Sequence, residues 1–193
     1  MRSALVLAGV SLAAAGSALG AGGYPPTPIG AGARFHPRAA SSAVLQGLPV
    51  GGLRCGLGSE RVGVHVELFA RGRVVIVPAG IGVAAPFARD GAFIRPRGCT
   101  YPLRTLDPTG VVEVDRRHPL TLGHLFRVFG QPLTRTRLAG FRTTTSRPVR
   151  AYVAGHRWSG PLRSIPLRRH AQIVLELGAY IPPHKVYLFR AGL

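Results

Sequence analysis

The sequence predicts an α+β fold that is mostly β: a compact antiparallel β-rich domain with one short amphipathic helix and one disulfide. Three observations carry this. Apolar and polar residues alternate in several runs of strand length, one run alone has helical spacing, and Gly, Pro and Asp punctuate the joins. At 193 residues the chain suffices for one domain with a sizeable core.

Residues 1–20, "MRSALVLAGVSLAAAGSALG", have the form of a secretory signal peptide. Arg2 supplies the positive start, Ala4 to Leu12 the apolar run, and Ala18 and Gly20 the small residues of a cleavage site. An uncleaved anchor is the alternative, but a spanning helix needs about 20 strongly apolar residues and this run is short. No later segment could span a membrane. Residues 21–43 are rich in Gly, Pro, Ala and Ser without apolar period, and read as a flexible linker. The folded domain is expected over residues 44–193.

In "VGVHVELFA", Val62, Val64, Val66 and Leu68 fall on one face and Gly63, His65, Glu67 and Phe69 on the other, which predicts a half-buried strand. "ARGR" makes a tight turn, and "VVIV" (74–77) returns as its hairpin partner. "PAGIGVAAPFARDGAFIRPRG" reads as one long loop ending at Cys99. "DPTG" (107–110) is a β-turn opening the strand "VVEVD", with Val112 and Val114 on one face and Glu113 and Asp115 on the other. Leu122, Leu125, Phe126 and Phe129 then stand at i, i+3, i+4 and i+7, predicting a helix with Thr121 as N-cap, weakened by Gly123 and stopped by Gly130 and Pro132. "VRAYVAG", "AQIVLELG" (Ile173, Leu175 and Leu177 together) and "KVYLFRAGL" read as the closing strands.

Two cysteines, Cys55 and Cys99, make a disulfide the default for an exported chain. The bridge closes a loop of about 45 residues, which the chain-entropy model equates with roughly 4 kcal/mol. Thiolate ligation or a redox pair fits less well, because neither cysteine belongs to a C-x-x-C. The net charge is +18, and Lys185 is the only lysine among the basic residues. Such a balance suits anionic partners, including envelope components. The arginines are scattered without a dense run, however, so the sequence treats the charge as a solvated surface and offers no specific nucleic-acid motif.

The ordered pieces "HVELFARGRVVIVPAGIGV", "CTYPLRTLDPTGVVEVD", "LTLGHLFRVFGQPL", "VRAYVAG" and "IPLRRHAQIVLELG" resemble a family of exported bacterial and archaeal domains of unassigned function. The likeness runs from about Cys55 to Phe189. That family's pattern has H-x-H-x-H in the first strand and C-x-Y-W-L-H-T-H-D-x-T-G-I-I-H-x-E after the second cysteine. The resemblance implies a shared fold, the Cys55–Cys99 pairing, and a position where the family's histidines could gather a transition metal. Here most of those histidines are gone. His65 remains, Arg61 and Gly63 stand for its two partners, Arg104 and Leu106 replace the turn histidines, Asp107 survives, and Glu113 and Asp115 occupy the next strand.

Three uses of these residues stay open. A residual divalent transition-metal site could use His65, Asp107 and Glu113, with Glu67 or Asp115. Arg61 and Arg104 could instead pair with Glu113, Asp115 or Glu67 and replace a metal cross-link by ion pairs. Or the two guanidinium groups could hold an oxyanion. Asp107 suits a turn-forming role, His124 an exposed helix position, His170 a turn or cap, and Trp158 a core or rim anchor. Ser159 and Ser164 lack a catalytic pattern, and no nucleotide-binding loop is found. The expectation is therefore an exported, non-catalytic binding or structural domain of the envelope or secreted fraction without a cofactor. The alternatives are a metalloprotein or metalloenzyme, and a binder of anionic envelope polymers.

Overall fold

The computed structural model describes residues 32–38, 41–57 and 60–193. The signal-peptide reading of residues 1–20 lies outside them. Strands run in the order β1 (Ala33–Phe35), β2 (Arg61–Ala70), β3 (Arg73–Val75), β4 (Phe87–Asp90), β5 (Phe93–Pro96), β6 (Leu103–Arg104) and β7 (Val111–Asp115). They continue as β8 (Leu133–Thr134), β9 (Arg137–Leu138), β10 (Phe141–Arg142), β11 (Arg150–Val153), β12 (His156–Arg157) and β13 (Gln172–Leu177). Helix α1 is Ser42–Leu45 and α2 is Leu122–Phe129, with a 3-10 turn at Leu162–Ser164. The fold is β-rich and carries the Cys55–Cys99 disulfide.

The main sheet follows the order β1-β3-β2-β13-β11-β12, with β7 beside the first half of β2 and β6 beyond β7. It is a mixed sheet. Most pairs are antiparallel, but β2 with β13 and β1 with β3 run parallel. Arg71 and Gly72 both take positive φ, the conformation of a tight hairpin turn that matches strand twist, and so join β2 to β3.

One face of the sheet makes the core. Val62, Val64, Val66 and Leu68 of β2, Val112 and Val114 of β7, and Ile173, Leu175 and Leu177 of β13 form one apolar cluster with Leu122, Leu125, Phe126 and Phe129 of α2. Helix α2 begins as its sequence suggests: the Thr121 backbone N–H donates to His124 Nδ1 at 3.1 Å, closing a capping box. His124 is thus a half-buried capping residue, not a free surface one. The helix ends at Gly130 in the left-handed conformation. Gly123 has a packing reason, because a Cβ there would lie 2.8 Å from the Arg163 carbonyl of the 3-10 turn.

Four expectations need correction. The long segment before Cys99 is not all loop; it contains the β4–β5 hairpin, with Phe87 opposite Pro96 and Asp90 opposite Phe93. The segment read as linker contains β1, paired with β3, and Phe35 sets its ring against Phe141 at 4.8 Å. The expected last strand in "KVYLFRAGL" is absent from a chain that forms no ladder there. Both edges of β2 are taken, by β13 on one side and β7 and β3 on the other, so this segment crosses a sheet face. For that reason β2 is buried on both faces, not half-buried.

Candidate functional site

The residues singled out in the sequence come together on the second face of the sheet. Cross-strand register places Arg61 opposite Asp115, Gly63 opposite Glu113, and Arg104 opposite Glu113 from the other side. His65 and Gln172 are neighbours across the parallel β2–β13 pair, as are Glu67 and Val174. The C-terminal segment, residues 180–193, lies over this face. Tyr187 stacks on His65 with ring centroids 3.8 Å apart, and Phe189 stacks on His170 at 4.6 Å. Gly63 makes room for the cover: a Cβ there would lie 2.4 Å from Phe189 Cδ1.

Glu113 lies between two guanidinium groups. Its Oε2 accepts from Arg104 Nε and Nη2, each at 2.8 Å, and its Oε1 accepts from Arg190 of the C-terminal segment. Its side chain is 4% exposed, while Arg104 and Arg190 keep part of their surface in water. Asp115 accepts from Arg117 Nη2 at 3.1 Å and lies 3.2 Å from His118 Nδ1. Glu67 holds His184 Nδ1 at 2.9 Å through both oxygens. Glu176, across the sheet on β13, accepts from Arg150 at 3.1 Å; burial pushes its carboxyl above the usual range.

Arg61 is nearly buried and makes bonds to neutral oxygens only. Nη2 donates to Thr100 Oγ1 and to the Tyr101 carbonyl, both at 3.0 Å, Nη1 donates to the Glu113 carbonyl at 3.4 Å, and Nε has no partner. Burial first, and then the charge of Arg104, lower its pKa to about 10, offset in part by Glu113 and Asp115. It stays charged at neutral pH. Of the uses the sequence leaves open for these arginines, Arg104 makes an ion pair with Glu113. Arg61 takes another course, because its reach ends among the carbonyls of the β6 approach.

His65 has both nitrogens engaged, Nδ1 at 2.7 Å from the Gln172 side-chain amide and Nε2 at 2.9 Å from the Thr109 carbonyl. Burial pulls its pKa below the ordinary value, which favours the neutral ring. A neutral imidazole has one N–H, and Thr109 can only accept, so Nε2 donates and Nδ1 must accept. Gln172 then presents its NH2 to the ring, an amide flip that also gives a partner to the nitrogen otherwise left without one. Asp107 caps its own turn: Oδ1 accepts from the Thr109 backbone N–H at 3.1 Å and from the Thr109 hydroxyl. His65 Nδ1 and the Glu113 carboxylate thus spend their acceptors on other partners, and Asp107 Oδ1 is held within its own turn. Among the described residues no three His, Cys, Asp or Glu side chains converge as a ligand set.

Sequence reasoning missed Arg190, His184, Tyr187 and Gln172. The first three belong to a segment whose place over the sheet has no local signature. Gln172 was visible only as the first residue of a strand. Trp158 packs against the main core and donates from Nε1 to the Pro161 carbonyl at 3.2 Å. His170 takes a positive φ in the turn before β13 and approaches the Leu193 carbonyl at 2.6 Å through Nε2. Among the described residues no helix is long and apolar enough to cross a membrane. The disulfide is consistent with an oxidising, extracytoplasmic compartment. Comparison of the chain with protein-family models, with curated proteins and with solved structures finds no match.

Proposed function

We propose that the chain is an exported, non-catalytic domain that binds anionic components of the cell envelope or its surroundings. The signal-peptide form of residues 1–20, the disulfide, and the resemblance to exported bacterial and archaeal domains support its location. One observation carries the function. Five of the seven carboxylates are consumed in ion pairs with arginine, Glu60, Asp90, Glu113, Asp115 and Glu176, and Glu67 is bonded to His184. The seventh, Asp107, is tied into its turn. Among the described residues, most basic side chains face solvent without a carboxylate, and a surface of one sign attracts polyanions.

The same ion pairs support a non-metal role for the second sheet face, since a cation there would displace Arg104 and Arg190 from Glu113. The test has two parts. The purified mature domain is applied to immobilised heparin beside an unrelated protein of equal net charge; stronger retention that falls steeply with salt is expected. Retention equal to the control overturns the binding role. Elemental analysis after dialysis is the second part, and stoichiometric Zn, Cu or Fe would replace this reading by a metalloprotein.

A further inference from the structure

Arginines scattered in the sequence gather where β2 begins and β7 ends. Two clefts adjoin there and share Asp115 and His118 in their walls. The first, about 340 Å³, is lined by Arg54, Arg61 and Arg117; the second, about 480 Å³, by Arg116, Arg168 and Arg169. Arg116 and Arg117 already serve Glu60 and Asp115. Arg54, Arg168 and Arg169 are exposed and make no ion pair with a carboxylate among the described residues.

We propose that the two clefts form one trough for a linear acidic polysaccharide, whose carboxylate or sulfate groups seat on Arg54, Arg168 and Arg169. The proposal rests on the anionic-partner reading above and gives it a site. Arg61 supplies fixed positive charge in the wall. Its hydrogen bonds go to neutral oxygens, and the nearby Glu113 and Asp115 carboxylates offset its charge in part. Guanidinium forks suit carboxylate and sulfate geometry. Among the described residues the trough walls contain no Phe, Tyr or Trp on which bases could stack, which disfavours single-stranded nucleic acid. A flat bilayer does not enter a concave trough.

The test compares two triple variants of equal charge in the full mature chain. One is Arg54→Ser, Arg168→Ser and Arg169→Ser in the trough; the other is Arg135→Ser, Arg142→Ser and Arg147→Ser, exposed positions elsewhere. Heparin oligosaccharide, single-stranded DNA of matched charge and anionic vesicles are titrated into each at several salt concentrations. The trough variant is expected to lose about tenfold or more in heparin affinity relative to the other, with a salt slope shallower by about two to three units. Equal losses in both variants overturn the trough and leave general polyanion binding standing. No preference of the unaltered protein for any of the three over a charge-matched control overturns the functional reading itself. DNA or vesicles bound more tightly than heparin through the same arginines overturns the ligand class. Unchanged thermal midpoints show that both variants fold.

Discussion

On one face of β2, Val62, Val64, Val66 and Leu68 share an apolar cluster with α2; on the other, Gly63, His65 and Glu67 meet Phe189, Tyr187 and His184 of the C-terminal segment. Both faces are buried, by different means. The first relies on non-directional burial of aliphatic and aromatic surface, where shape and volume decide. The second relies on directional pairs, with Glu113 between two guanidinium groups and His65 between two amide groups, and only a small apolar cluster of Phe69, Val74, Ile76, Tyr152 and Val174. The helix face therefore sets whether the domain folds. The covered polar face sets whether the C-terminal segment stays on it.

The sharpest way to break this division is a matched pair of truncations. Phe126→Ala removes a fully buried ring of α2 and should cost about 3–5 kcal/mol in urea unfolding. Phe189→Ala removes a half-buried ring from the covering segment and should cost about 1 kcal/mol. Equal losses would mean that both faces belong to one cooperative core.

The next effect tests the pairing on the polar face. Glu113→Ala leaves Arg104 and Arg190 without their shared carboxylate. Both arginines can turn partly to water, so the loss should be about 2 kcal/mol rather than the larger penalty of a fully buried unpaired charge. A double-mutant cycle with Arg190→Ala separates the contribution of the C-terminal segment from that of Arg104. No coupling between Glu113 and Arg190 would remove this contact from the account of how the segment is held.

A smaller effect is expected from Gly63→Ala. The added methyl would collide with Phe189, so the ring must move while β2, whose backbone there is extended, stays intact. Protease cleavage within residues 180–193 should quicken by about fivefold, equivalent to about 1 kcal/mol in local opening, with the global midpoint nearly unchanged. A large drop in the global midpoint would show that the two faces are not separable.

The helix face was legible in the sequence because one physical cause, burial on one side, writes a period into β2, β7, α2 and β13. The parallel union of β2 with β13 was not, since the two lie about a hundred residues apart and no local pattern encodes their direction. The β4–β5 hairpin was missed because its strands have four residues each and mixed burial, so no alternation develops. "KVYLFRAGL" misled for the opposite reason. Tyr187 and Phe189 turn inward while Val186 and Leu188 are 80% and 75% exposed, an alternation like that of a strand but made by covering a face without pairing. At the site, Arg104 with Glu113 could be anticipated from residue chemistry, whereas Arg190 could not, because its partner is set by the path of that covering segment.

The least effect, and the most specific, is in pH. The folded-state pKa of His65 is lowered mainly by burial, with its bonds to Gln172 and Thr109 and the charge of Glu67 opposing and His184 adding to the shift. The unfolded chain thus takes up a proton near the ordinary value of 6.5, while the folded chain resists until lower pH. Stability from His65 is complete above about pH 6.5 and is lost as pH falls below it, at no more than about 1.4 kcal/mol per pH unit. His124, in the capping box of α2, shifts the same way through burial and the charges of Arg127 and Arg163. Glu176 shifts oppositely: its carboxyl, raised mainly by burial, takes up its proton in the folded state first, so it favours folding as pH falls towards 4.5 and offsets part of the histidine effect. Urea unfolding at pH 7, 6 and 5 should therefore show falling stability, and His65→Gln should flatten the slope while His124→Gln flattens it separately. If His124→Gln alone removes the slope, the acid response belongs to the helix face, and burial does not hold the His65 ring neutral as argued.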